Sequence, residues 1–151
     1  MLKYYFKTIQ NQEGSYTGMV HGQPDIFAKG STLDELHENI TAVLRSNFIF
    51  RIEFSIAPIP MPVALPEPEQ GDATTIYIPI NLGLSDSFKI LIWNRMHQAK
   101  ISKTELAAAL GIMHVQADRL LQIGTRTGID LIERAISAVN CDVEIILKGS
   151  K

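Results

Sequence analysis

The stretch Ile101 to Leu121, ISKTELAAALGIMHVQADRLL, decides the reading of this chain. It divides into a helix, a tight turn at Gly111 and a second helix. Ser102 stands at an N-cap position, and Glu105 three residues later completes a capping box. Leu106, Ala107 and Leu110 form one apolar face, with Ala107 small where two helices must approach closely. Gly111 can take the positive φ that ends a helix. In the second helix Ala117, Leu120 and Leu121 turn inward, and His114, Val115, Gln116 and Arg119 turn outward. This is the pattern of a helix-turn-helix, in which an exposed Gln and Arg near the start of the second helix reach base edges and phosphates. Two short amphipathic helices joined by glycine also occur in all-α domains without that role, so the surrounding sequence matters.

On one side, Ser85 to Ala99 reads as a helix with Phe88, Leu91, Ile92 and Met96 on one face and Ser85 or Asp86 as its cap. On the other, Gly128 to Asn140 places Ile129, Ile132, Ile136 and Val139 at helical spacing, with Thr127 as cap. The short apolar run Val143 to Leu147 (VEIIL) then predicts a terminal strand. It has no partner strand in a helical domain, so it is expected to pair with its own copy in a second subunit or to pack on its own domain.

The first half has a different grammar. Leu2 to Ile9 (LKYYFKTI) reads as a strand, Asn11 to Ser15 as a turn with Gly14, and Tyr16 to His21 as a returning strand. Asp25 to Lys29 predicts a short third strand. Thr32 caps a helix whose capping-box acid is Glu35 and whose buried stripe is Leu33, Leu36, Ile40, Val43, Leu44 and Phe48. The result is a β-β-β-α unit. Ile56 to Asp72 is rich in proline and carries three acids, which predicts a stiff linker or extended loop. Thr74 to Ile80 can form a fourth strand, with Pro79 confining it to an edge or its own end.

The net charge of −2 hides an asymmetry. Residues 1–72 hold nine acids against five bases, whereas residues 85–151 hold nine bases against seven acids. Two surfaces with different partners are implied. The mildly basic half predicts modest non-specific DNA affinity and a need for dimerisation. The single cysteine, Cys141, excludes an internal disulfide, reads as buried, and fits a reducing cytoplasm. No signal peptide and no apolar run long enough for a membrane span is visible.

Catalytic signatures are absent. There is no phosphate loop, no CxxC pair and no HExxH, and His21, His37, His97 and His114 lack metal-ligand spacing. A β-β-β-α unit raises the thought of metal-dependent nucleases, but these need acids on the strands. The first two strands contain none, and Asp34, Glu35 and Glu38 fall on a helix. Neither an enzyme, a metal nor a cofactor is expected.

Residues 1 to about 55 resemble the N-terminal domain of the HicB antitoxin family. The resemblance is carried by the Leu2–Ile9 strand, the hairpin at Gly14-Ser15-Tyr16, and Phe27-Ala28-Lys29-Gly30-Ser31-Thr32-Leu33-Asp34-Glu35. Ser31 stands where the family has an acid, and Leu36-His37 where it has a small residue. Residues 85–147 resemble the Cro/repressor-type helix-turn-helix at the C-terminus of one HicB branch, through Thr104-Glu105-Leu106-Ala107-Ala108-Ala109-Leu110-Gly111 and the run from Ile129 to Val139. The resemblance implies a degraded ribonuclease-H-like first domain, a HicA-type mRNA-cleaving toxin as partner, and repression of the operon by the second domain. An acid-rich first half would complement a basic toxin.

The expectation is therefore an α+β N-terminal domain over residues 1–80 and an all-α helix-turn-helix domain with a short terminal strand over residues 81–151. The first would mask a toxin and the second would read operator double-stranded DNA as a homo-dimer or higher oligomer. Gln116 and Arg119, beside His114 and Val115, are expected at bases or phosphates. Ser102, Lys103, Thr104, Thr125 and Arg126 are expected at phosphates. Asp118 is the misfit, since an acid on that helix repels phosphate unless it is paired. Tyr16, Met19, His21, Asp25 and Phe27 are the candidate toxin contacts. A stand-alone regulator sensing a small ligand, a nuclease using Asp34 and Glu35, and a helix pair used only for dimerisation stay open from sequence.

Overall fold

A computed structural model describes residues 1–65 and 75–150. Among them run β1 (Lys3–Gln10), β2 (Tyr16–Val20), β3 (Gln23–Gly30), α1 (Leu33–Glu53), β4 (Ile76–Asn81), α2 (Leu84–Ala99), α3 (Lys103–Leu110), α4 (His114–Leu121) and α5 (Ile129–Ala138). The class is α+β: a four-stranded antiparallel sheet, ordered β3-β2-β1-β4, and five helices. None of these helices is long and apolar enough to cross a membrane.

Strand alternation sets the two faces of the sheet. Tyr4, Phe6 and Thr8 of β1, Gly18 and Val20 of β2, and Ile26 of β3 are buried, on the side that carries α1. The helix is capped as its sequence predicts: Thr32 Oγ1 accepts the Glu35 N–H at 3.1 Å. The Glu35 carboxylate reaches back to the Ser31 N–H at 2.8 Å, one residue before the N-cap. Leu36, Ile40, Leu44, Phe48 and Ile52 form the buried line. Leu33 and Val43, expected in that stripe, flank it and are exposed, because the four-residue spacing of the buried line aligns it alone with the sheet.

Two glycines let α1 lie this close. A Cβ on Gly30 would stand 2.4 Å from the Leu36 nitrogen and 2.8 Å from its Cα, both backbone atoms that cannot swing aside. A Cβ on Gly18 would meet only side chains, Phe6 at 3.0 Å and Leu36 at 3.1 Å.

β4 sits at the sheet edge beside β1, with Pro79 opposite Tyr5, where the missing N–H of proline is tolerated. Thr74 and residues 66–72 of the expected linker lie outside the described residues. The described part of the proline segment is a docked strap, not a free linker. Tyr4 donates its hydroxyl to Pro60 O at 2.7 Å, and burial pushes that phenol's pKa far up. Trp93 Nε1 donates to Ala57 O at 3.0 Å. Asn94 takes the Ile59 N–H at 2.7 Å and returns an N–H to Ile59 O at 2.8 Å, as a neighbouring strand would. The strap carries few N–H groups, and its carbonyls are taken by donors from three elements: Tyr4 of β1, Arg51 of α1, and Trp93 and Asn94 of α2.

The buried apolar side chains make one continuous cluster, from Tyr4 and Phe48 through Ile59, Leu82 and Trp93 to Leu120 and Ile136. This overturns the one-faced reading of α2. Burial between the strap and α4–α5 encloses Phe88, Lys89, Ile90, Ile92, Trp93 and Met96, while Leu91 is exposed. The helix begins one residue early, with Gly83 and not Ser85 or Asp86 as N-cap, and the Asp86 carboxylate is taken by the Gly124 N–H. Gly128, not Thr127, stands at the N-cap of α5, whose Ile129 points to solvent on the first turn. Cys141 is half-buried, since the chain leaves the core at Asn140. Val143–Leu147, expected to be a strand, forms none and is exposed, because it follows α5 in the helical half and pairs with neither edge of the sheet.

Gly30→Ala is expected to destabilise the fold by about 3 kcal/mol, the upper range for overpacking, and Gly18→Ala by about 1 kcal/mol. Urea denaturation of the two variants beside the parent checks the order.

Candidate nucleic-acid interface

The α3–turn–α4 pair is built from local rules. Ser102 Oγ accepts the Glu105 N–H at 3.1 Å and starts α3. Gly111 ends it at φ 65°, the left-handed region that favours glycine. Arg134 of α5 donates to Leu110 O at 2.6 Å, so a cation also closes the negative end of α3. After a three-residue turn, α4 buries Ala117, Leu120 and Leu121. His114, Val115, Gln116 and Arg119 face solvent, with Val115 74% exposed. Ala107 is buried, as its small size predicts for a close helix approach.

Several expected contact residues carry a second duty. Gln116 Oε1 accepts the Met113 N–H at 2.8 Å, so the side chain closes the first turn of its own helix and keeps its NH2 free. Lys103 is largely covered: its ammonium lies 3.1 Å from Asp118 Oδ1 and 3.4 Å from Glu53 O, at the negative C-terminal end of α1. Asp118 Oδ1 is shielded from solvent and held by that ion pair without an aligned hydrogen bond. Its Oδ2 lies 3.2 Å from His114 Nδ1. The misfit acid is thus paired, and Lys103 joins α1, α3 and α4 in place of standing free. Ser102, Thr104 and Arg126 are exposed, and Thr125 is half-buried.

Thr125 belongs to a buried polar joint that no local motif announces. Lys89 of α2 is 0% exposed, and its ammonium donates to Gln122 O at 2.7 Å, Thr125 O at 2.6 Å and Thr125 Oγ1 at 3.0 Å. Asp86, also buried, accepts the Gly124 N–H at 2.9 Å. Burial lowers the Lys89 pKa, and the Asp86 carboxylate works against that shift. Beside this assembly, a groove of about 1120 Å3 separates the end of α1 from α4, lined among others by Ile52, Trp93, Lys103, Val115 and Asp118.

The five residues expected to meet a partner protein do not form one face. Met19 and Phe27 are direct cross-strand partners on the outer face of the sheet, 39% and 56% exposed. Asp25 is exposed two residues before Phe27 on the same strand. His21 is half-buried, in contact with Ala64 O at 3.1 Å and edge-on to Tyr77. Tyr16 lies in the other strand phase, opposite Gly30, and packs against the core. Lys7 pairs with Met19, and Lys29 with Thr17, so this face is apolar with a basic flank. The exposed acids Asp34, Glu35 and Glu38 project from α1 instead. Among the described residues, no group of three or more His, Cys, Asp or Glu could hold a metal ion.

No family model matches the chain. Antitoxin HicB of Escherichia coli (strain K12) is 26% identical over 135 residues, 89% of this chain and 91% of the relative. Antitoxin HicB 1 of Photorhabdus laumondii subsp. laumondii is 25% identical over 128 residues, 85% of this chain and 76% of the relative. Antitoxin HicB of Pseudomonas fluorescens (strain Pf0-1) is 25% identical over 113 residues, 75% and 72% of the two chains. The chain is a distant relative of the HicB antitoxins. A match over 135 of the 151 residues necessarily takes in the α3–α4 pair and α1.

The residues that sequence reasoning missed are Asp86, Lys89 and Arg134. Each acts on a carbonyl or N–H of a segment distant in sequence. The one available signal was a lysine and an aspartate inside a helix otherwise rich in apolar residues.

Asp118→Ala frees the Lys103 ammonium and removes an acid from the exposed side of α4. Stability should fall by less than about 1 kcal/mol, since the pair is partly exposed. Retention on a heparin column should rise, and unchanged retention would show that Lys103 stays covered without its partner.

Proposed function

We propose that this chain is an antitoxin that binds and neutralises a small HicA-type mRNA-cleaving toxin and represses its own operon by binding operator DNA. The observation that carries the reading is that one chain, similar over most of its length to HicB antitoxins, also presents an exposed helix after a glycine-ended turn. That helix offers His114, Val115, Gln116 and Arg119 to the major groove, where Gln116 still has its amide donors and Arg119 its guanidinium. Ser102, Thr104, Thr125 and Arg126 meet phosphates. Lys103 does not stand free for a phosphate; it neutralises Asp118, so that the acid on α4 repels the backbone less.

We assign toxin binding to residues 1–80. The apolar pair Met19 and Phe27 is the anchor, with Asp25 beside it, because an exposed aromatic and a methionine in contact are what partner interfaces bury. The sheet unit acts as a cover, a ribonuclease-H-like frame without chemistry. Its helix acids face solvent, and Glu35 is used as a cap. DNA binding belongs to residues 81–151, and the exposed run Val143–Leu147 pairs with its copy in a dimer. Such a dimer sets two α4 helices about one turn of DNA apart, ~34 Å. The site of action is the cytoplasm.

The test separates the two surfaces. A HicA-type toxin is expressed to arrest growth, and variants of this chain are co-expressed. Met19→Glu with Phe27→Glu should abolish rescue and leave binding to the chain's own promoter intact. Gln116→Ala should alter sequence preference on that promoter and leave rescue intact. Rescue by the glutamate variant would refute the assigned toxin face, and equal loss on every DNA sequence for Gln116→Ala would refute base reading.

A further inference from the structure

The loop between α4 and α5 is held from below by α2. Its carbonyls at Gln122 and Thr125 converge on the Lys89 ammonium, and its Gly124 N–H points at the Asp86 carboxylate. A buried ammonium without partners costs several kcal/mol, so three oxygens at 2.6–3.0 Å make the position of these oxygens and of Lys89 mutually dependent. Gln122 is the C-cap of α4, where a cation also meets the negative helix end. The Thr125 carbonyl belongs to the peptide that leads into Arg126, which is exposed.

We propose that Lys89 is a positioning residue for DNA binding: from the core it fixes the α4–α5 loop so that Arg126 is presented to a phosphate. The inference rests on the DNA-binding reading above. Lys89 touches no nucleic acid itself. Beside the buried Ile123, it ties the seven-residue connection to α2 at Gln122, where α4 ends, and at Thr125, just before Arg126. Asp86 and Lys89 form a two-point clamp, an acceptor on one loop N–H and a donor on two loop carbonyls. An apolar residue at position 89 would fill the same space and leave the Thr125 carbonyl without its donor, while Gln122 O would keep only the Thr125 N–H and hydroxyl.

The experiment measures affinity of the full-length chain for its own promoter fragment between 50 and 200 mM salt. Arg126→Ala should reduce the slope of log affinity against log salt by about 1, the effect of one lost phosphate contact. Lys89→Met should reduce it by the same amount, weakening binding to all DNA sequences alike. The double variant should lose no more than either single one. A change in folding stability alone would not move this slope in a chain that circular dichroism shows to be folded. If Lys89→Met does not fold, Lys89→Gln serves in the same measurements, with the same slope change expected. A folded Lys89 variant with the parental slope, an unchanged slope for Arg126→Ala, or additive losses in the double variant would each overturn the proposal. Absence of promoter binding by the parent would instead remove the DNA-binding reading on which it rests.

Discussion

Helix α2 must satisfy buried polar side chains, and that requirement organises the molecule. Asp86, Ser87 and Lys89 are buried, and each bonds a backbone group from a different part of the chain. Ser87 Oγ accepts the Leu2 N–H at 2.9 Å, at the start of the sheet unit. Trp93 and Asn94 hold the proline strap. Asp86 and Lys89 hold the loop after α4. Each bond is worth only about 1 kcal/mol net, but leaving any of these groups unpaired costs more than that. The bonds therefore act less as a source of stability than as a rule that excludes other arrangements of the two halves.

That rule bears on function. The outer face of the sheet and the exposed side of α4 are built separately, yet both are fixed to α2. Lys103 adds a second connection, with its ammonium between the last carbonyl of α1 and the acid of α4. A partner that shifts α1 will disturb Lys103, and through it Asp118 and His114. A physical route thus runs from the sheet unit to the proposed DNA surface, through a contact that can be broken at low cost because it is partly exposed.

Much of this was legible from local patterns. Gly111, Ser102 and Thr32 do what their chemistry requires, and the four strands follow alternation and turn residues. The order of burial in α1 was legible to within its edges, since Leu33 and Val43 differ from the true stripe only by rotation about the helix axis. What escaped sequence reading was whatever depends on distant segments. α2 looked one-sided because its second neighbour, the strap, carried the composition of a linker. Lys89 drew no reading at all, because two of its three oxygen partners are backbone atoms, which no side-chain pattern encodes. Lys103 and Thr125 were expected at phosphates, but the partners that hold them, Asp118 and Lys89, could not be foreseen. The acid-rich first half suggested an acidic face, whereas the strands put Lys7 and Lys29 beside Met19 and Phe27 and left the acids on α1.

The central claim is that this chain works by covering other molecules, and that the exposed side of α4 covers DNA. Amide hydrogen exchange of the full chain, with and without its promoter fragment, tests it most directly. The account predicts slowed exchange at the starts of α3 and α4 and across residues 122–127, with the outer face of the sheet unchanged. Slowed exchange at Met19 and Phe27, with α4 unaffected, would contradict it.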